Sequence, residues 1–93
     1  MNGVMRMLTV IHTFDGPDKD RVLADIKRGL ASVENIDGFK FASVNQQLNS
    51  SDIMVMSKWE DRAAFEAWRG TVGDNAAYRQ STPQVFEVIE EKY

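Results

Sequence analysis

The sequence predicts a small α+β domain of ferredoxin-like order, β-α-β-β-α-β, with an antiparallel sheet and both helices on one face. Three observations predict it. Segments rich in β-forming residues stand at the start, in the middle as a pair, and at the end of the chain. Between them lie two segments whose apolar residues recur at helical spacing. Glycine, proline, asparagine and aspartate mark the junctions. With 93 residues the chain is read as one domain, residues 1–93. A chain of that size buries only about 60–65% of the surface it exposes when unfolded.

The first strand is placed at residues 5–14, MRMLTVIHTF, which ends on the turn signal Asp15-Gly16-Pro17. In the following DKDRVLADIKRGLASVENI, Val22, Leu23, Ile26, Leu30 and Val33 fall on one helical face. Pro17 suits a first helical turn, and Asp18 and Asp20 complement the helix dipole. Residues 36–38, Ile-Asp-Gly, break the helix. The second strand is placed at residues 39–48. A turn cluster at 49–52 then returns the chain as a hairpin into residues 53–59, IMVMSKW. Asp61 is positioned to cap a second helix carrying Ala64, Phe65 and Trp68 on one face. Gly70 and Gly73 interrupt it, residues 75–80 add a further turn or two, and residues 85–93 form the last strand.

Such a sheet buries one face under its helices and should present a polar second face. Alternation in this sequence gives apolar residues on both. Met5, Met7 and Ile11 oppose Leu8 and Val10; Ile53 and Val55 oppose Met54 and Met56; Val85 and Ile89 oppose Phe86 and Val88. A second copy of the chain is the simplest cover, so a homodimer joined sheet to sheet is expected.

Composition removes several function classes. Eleven basic against fourteen acidic residues give a net charge of −3, with no basic stripe of the kind nucleic acid requires. The run Gly38-Phe39-Lys40-Phe41 imitates an RNA-recognition motif. It has Asp37 where a basic residue belongs, and it stands on the second strand rather than the third. There is no cysteine, so thiol chemistry and thiolate metal sites are excluded, and the single histidine, His12, excludes a multi-histidine metal site. No apolar run approaches the roughly 20 residues of a membrane helix. The first fourteen residues read as mature strand sequence, which makes the cytoplasm the expected compartment.

The element order, the Asp37-Gly38-Phe39 entry to strand two and the pattern W-E-D-x-x-x-F-x-x-W from Trp59 to Trp68 resemble the antibiotic biosynthesis monooxygenase (ABM) family, of the dimeric α+β barrel superfamily. The resemblance covers nearly the whole chain. It implies one of the family's activities: cofactor-independent oxidation of quinols and polycyclic phenols by dioxygen, or heme degradation. In the first, a deprotonated aromatic substrate itself reduces dioxygen, and the protein supplies a dry pocket, hydrogen bonds and a base. Heme-degrading members pair a helix tryptophan with a strand-one asparagine and a histidine ligand ten residues after the tryptophan. Here the tryptophan is Trp68, but Tyr78 and Thr9 occupy the other two positions. The pattern therefore favours oxidation without a cofactor. Heme binding or heme degradation, using Tyr78 or no protein ligand, and a non-catalytic dimer that binds a small molecule stand as alternatives.

The resemblance assigns Trp68 to the cleft wall and Tyr78 to a hydrogen bond with the substrate oxygen. It puts Thr9 on the facing strand and leaves His12 as the candidate base, the only side chain titrating near neutrality. Plain packing competes with each assignment: Trp68 and Tyr78 on helix faces, His12 as a structural strand residue. Trp59 and Phe65 read as core. Arg69 and Arg79 read as solvated helix charges, and the paired methionines as adaptable packing.

Overall fold

A computed structural model describes residues 6–15 and 18–92, so the expectations placed on Met5, Gly16, Pro17 and Tyr93 lie outside the described residues. The elements are β1 (Leu8–Phe14), α1 (Lys19–Leu30), a 3₁₀ turn (Val33–Asn35), β2 (Phe39–Gln46), β3 (Ile53–Trp59), α2 (Arg62–Thr71), α3 (Ala76–Gln80) and β4 (Gln84–Glu87). The sheet runs β2-β3-β1-β4 with every neighbouring pair antiparallel, which is the ferredoxin-like arrangement.

Alternation sorts the two central strands. Leu8, Val10, His12 and Phe14 of β1 are buried, as are Ile53, Val55, Ser57 and Trp59 of β3. These residues face the helices. Asp61 caps α2, its Oδ1 accepting from the Ala64 amide at 2.9 Å. Ala64, Phe65 and Trp68 of α2 then seat on the sheet. The Trp68 and Trp59 rings stack with centroids 5.4 Å apart and an interplanar angle of 30°. Trp59 Nε1 donates to Ser57 Oγ at 2.9 Å, so the one buried hydroxyl beneath the stack and the indole N–H satisfy each other. Each fully buried aliphatic or phenyl side chain in this layer, such as Val10, Ile26, Val55 and Phe65, contributes about 1.5–3 kcal/mol.

β1 begins at Leu8 and β2 ends at Gln46, inside the bounds expected from sequence, and two further boundaries differ for a local reason. The first helix stops at Leu30 and its tail becomes the 3₁₀ turn. Ser32 Oγ donates back to the Gly29 carbonyl at 3.1 Å, competing with helical continuation. The last strand covers only Gln84–Glu87. Val88 still donates to the Met7 carbonyl at 2.9 Å, after which Ile89 stands almost wholly exposed. Beyond it Glu91 forms an ion pair with Lys58 of β3, which draws the tail away from the ladder. Hairpin entry needs Gly38, whose φ of 94° is left-handed and whose carbonyl accepts from the Glu60 amide at 2.7 Å.

The second sheet face carries Ile11, Met54 and Met56, partly exposed, and Phe41 and Phe86, each 48% exposed. Apolar groups therefore do occupy both faces. Among the described residues no helix is long and apolar enough to cross a membrane.

Gly29 is where α1 meets the aromatic layer. A Cβ built there would stand 2.6 Å from Tyr78 Cε2 and 3.4 Å from Val72 Cγ1, so only glycine admits the Tyr78 ring this close to the helix. Gly29→Ala gains up to about 1 kcal/mol in helix propensity but forces an overlap costing about 1–3 kcal/mol. A net loss of about 1–2 kcal/mol is expected, read as a lower urea midpoint at unchanged slope.

Candidate active site

Helix α3 is short, and its position is fixed from its first residue. Asn75 Oδ1 accepts from the Ala77 and Tyr78 amides at 3.1 and 3.3 Å, capping the helix. The same side chain donates through Nδ2 to the Asp25 carbonyl at 2.8 Å, pinning α3 against α1. This delivers Tyr78 edge-on to three rings. The centroids lie 5.0 Å from His12, 5.2 Å from Phe14 and 5.2 Å from Trp68, all near perpendicular. After α3, Ser81 Oγ donates to the Thr13 carbonyl at 2.8 Å and ties the exit of the helix to the end of β1.

A cavity of about 360 Å³ opens where β1, α2 and α3 converge, lined by His12, Tyr78, Arg69, Arg79, Ser81 and Thr82 among others. The Ser81–Thr82 segment also borders a larger cleft, about 580 Å³, at the sheet end beside Asn45, Asp52 and Met54. The His12 and Tyr78 side chains border the smaller cavity, and two of their atoms, His12 Nδ1 and the Tyr78 hydroxyl, are buried with no hydrogen-bond partner among the described residues. Leaving such groups unpaired costs about 1–3 kcal/mol each, so a pair of them in two side chains beside one cavity calls for an explanation.

Their protonation states follow from their surroundings. Burial, reinforced by the Arg69 guanidinium, pulls the His12 imidazole down to about 4, so it is neutral at physiological pH. Burial pushes the Tyr78 hydroxyl well above its ordinary value, so it stays protonated. One group is therefore a neutral acceptor and the other a persistent donor, with ring centroids 5.0 Å apart.

The four residues singled out from sequence divide. His12 and Tyr78 come together at the cavity. Trp68 stands directly behind them, its ring 6.0 Å from His12, but it is fully buried and does not line the space. Its Nε1 is occupied in donating to the Gly29 carbonyl at 3.1 Å. The expected cleft wall is thus a backing for the two polar residues. Thr9 is on the other face of the sheet, paired with Lys58 and Phe86, because an odd offset from His12 along a strand reverses the side. Thr9 is separated from this cavity by the sheet itself. Conversely, Arg69 and Arg79, read from sequence as solvated charges, line the rim. Their signal was adjacency: each follows a site aromatic by one residue at a helix end.

A heme ligand must face an open slot wide enough for the macrocycle. Tyr78 is only 6% exposed, wedged between three rings and the Gly29 backbone, and His12 is only 3% exposed. Neither side chain faces a slot of that width in this structure.

The antibiotic biosynthesis monooxygenase family profile matches residues 7–81. Similar solved structures include SnoaB, a cofactor-independent oxygenase from Streptomyces nogalater, at 15% identity, a TM-score of 0.74 and 97% coverage of both chains. PA3566 from Pseudomonas aeruginosa is similar at 17% identity and TM-score 0.73, covering 97% of this chain and all of that one. Rv0793 from Mycobacterium tuberculosis matches at 16% identity and TM-score 0.71, covering 94% and 99%. At these identities the likeness establishes a shared fold. No curated protein sequence matches. With the fold and the family profile in agreement over most of the chain, this protein belongs to the antibiotic biosynthesis monooxygenase family.

Proposed function

We propose that the chain is a cofactor-independent monooxygenase that oxidises a quinol or phenol of about two fused rings with dioxygen in the His12–Tyr78 cavity. The observation that carries this reading is a cavity bordered by His12 and Tyr78, two side chains that each hold a buried polar atom without a partner among the described residues. Family membership supports the reaction class, and SnoaB is itself described as independent of a cofactor. A volume of 360 Å³ is at the small end of the range of about 300–1,000 Å³ that holds organic ligands.

Neutral His12 accepts the phenolic proton, and the Tyr78 hydroxyl donates to the phenolate oxygen left behind. The electron-rich ring passes an electron to dioxygen, and superoxide recombines at a hydrogen-bearing ring carbon ortho or para to the oxygen. The resulting hydroperoxide loses water and leaves a carbonyl. One oxygen atom enters the product, the other leaves as water, and the substrate supplies both reducing electrons. Trp68 holds Tyr78 in place and touches no substrate. We propose further that the chain works in the cytoplasm as a dimer in which the Phe41–Met56–Phe86 face meets its copy.

Oxygen uptake with hydroxynaphthalenes and naphthalene diols tests the reaction: consumption at the uncatalysed rate by the native chain overturns it. Tyr78→Phe should lower kcat by about 10²-fold or more. Because it also removes an unpaired buried hydroxyl, its thermal stability should equal or exceed the native value. Loss of both activity and stability would assign Tyr78 to packing alone.

The His12 shift fixes a sign. Its folded value lies below its unfolded one, so between about pH 6.5 and 4 the unfolded chain binds the extra proton. Stability is accordingly lost as pH falls through that window, by up to about 3 kcal/mol from this group. The difference between native and His12→Leu urea midpoints at pH 7 and pH 4 isolates the contribution. The acid limb of kcat/KM should likewise lie near pH 4, not near 6.5.

Sedimentation tests the dimer. Phe86→Asp places a charge on the apolar face and should convert a dimer to monomer without unfolding it, since Phe86 is already half exposed.

A further inference from the structure

We infer that the ligand of the His12–Tyr78 cavity carries a carboxylate at the end opposite its phenolic oxygen, held at the rim by Arg69 and Arg79. This rests on the reading that the cavity takes a phenolic ligand, and it narrows the substrate class to aromatic hydroxy acids.

The two guanidinium groups reach one cavity from different elements. Arg69 comes from the last turn of α2 and Arg79 from α3. Among the described residues none lining that cavity is acidic, although the chain as a whole carries a net charge of −3. The positive rim is thus a local concentration against the overall balance. Arg69 has an ion pair with Glu66 at 3.4 Å, on an exposed helix surface, and lies 5.7 Å over the Phe65 ring. Exposed pairs of that kind contribute little, and the aromatic contact leaves the guanidinium edge available. Arg79 has no ion pair with any other described residue. The charge of Arg69 is also felt at His12, so its field reaches the cavity interior.

A planar guanidinium matches a carboxylate in two parallel hydrogen bonds, a geometry that a point charge does not fix. With the carboxylate anchored at the rim, a flat ring would extend inward along Pro83 and Val72, both of which line the cavity. The far end of the ring then meets the neutral imidazole and the phenol, the two groups suited to a hydroxyl. Charge at the mouth and neutral donors and acceptors at the depth would orient the ligand in one sense. That orientation, more than total affinity, is what an oxygenase without a cofactor needs from its binding site.

The test uses two ligands of the same shape, 6-hydroxy-2-naphthoate and the neutral 6-hydroxy-2-naphthamide, titrated calorimetrically into the native chain, Arg69→Gln, Arg79→Gln and the double variant. The acid should bind the native chain at least about tenfold more tightly than the amide, the worth of one charge-assisted contact. Each single variant should reduce that preference. The double variant should abolish it while leaving the affinity for the amide unchanged, which also reports an intact cavity. Raising the salt concentration should shrink the preference in the native chain. Equal affinity for acid and amide, binding of neither, a preference that survives in the double variant, or loss of both ligands from a folded double variant would each overturn the inference. Binding is read without turnover. An acid that binds with the expected preference but drives no oxygen uptake refutes the oxygenase reading and leaves this one standing, and oxygen uptake with no preference does the reverse.

Discussion

The structure turns on the contact between Gly29 and the two aromatic residues of the second half of the chain. A helix leaves its last carbonyls without partners inside the helix, and α1 ends one residue later, at Leu30. The Gly29 carbonyl is satisfied from outside, by the Trp68 indole at 3.1 Å and the Ser32 hydroxyl at 3.1 Å. The same residue, lacking a Cβ, lets the Tyr78 ring rest against the helix backbone. One position thus ends α1, anchors α2 and admits α3. Removing that freedom would disturb all three at once, and with them the cavity they enclose.

From this packing follows the chemistry of the cavity. Burial normally selects against polar groups that lack partners, yet His12 Nδ1 and the Tyr78 hydroxyl are both held in that condition. The same desolvation fixes their charge states in opposite senses, lowering the imidazole and raising the phenol, so both are neutral over the physiological range. Trp59 and Trp68 make this sustainable. Their stacked rings fill the space behind the site and keep it from collapsing, while their own N–H groups are consumed by Ser57 and Gly29.

The sheet divides the molecule into two independent problems. One face is covered by helices and encloses the cavity; the other carries Met54 and Met56, partly exposed, and Phe41 and Phe86, about half exposed. The Lys58–Glu91 ion pair sits on that second side, next to Thr9 across the β1–β3 ladder. Strand alternation is what makes the separation absolute. A residue an odd number of positions from His12 belongs to the outer surface and has no access to the cavity except through the sheet.

Much of this was legible in the sequence. Hydrophobic periodicity located both long helices and the β3 hairpin, because those signals are local and repeat over a whole element. Family membership was legible in the Trp59–Trp68 pattern, because the residues that seat α2 on the sheet recur with the fold. Where the elements end was less so: the termination of α1 and the short β4 depend on Ser32, Trp68 and Lys58, partners distant in sequence or competing with the ladder. The meeting of His12 with Tyr78 was also beyond sequence, since it depends on Asn75 docking α3 on α1. So was the full burial of Trp68, which leaves it out of the cavity lining. Sequence by itself determined the element order, the two apolar sheet faces and the family, all of which follow from residue type and spacing. Tertiary structure alone decided which of the candidate residues share a cavity and that two arginines guard it, because neighbourhood and desolvation are properties of packed elements, not of any single one.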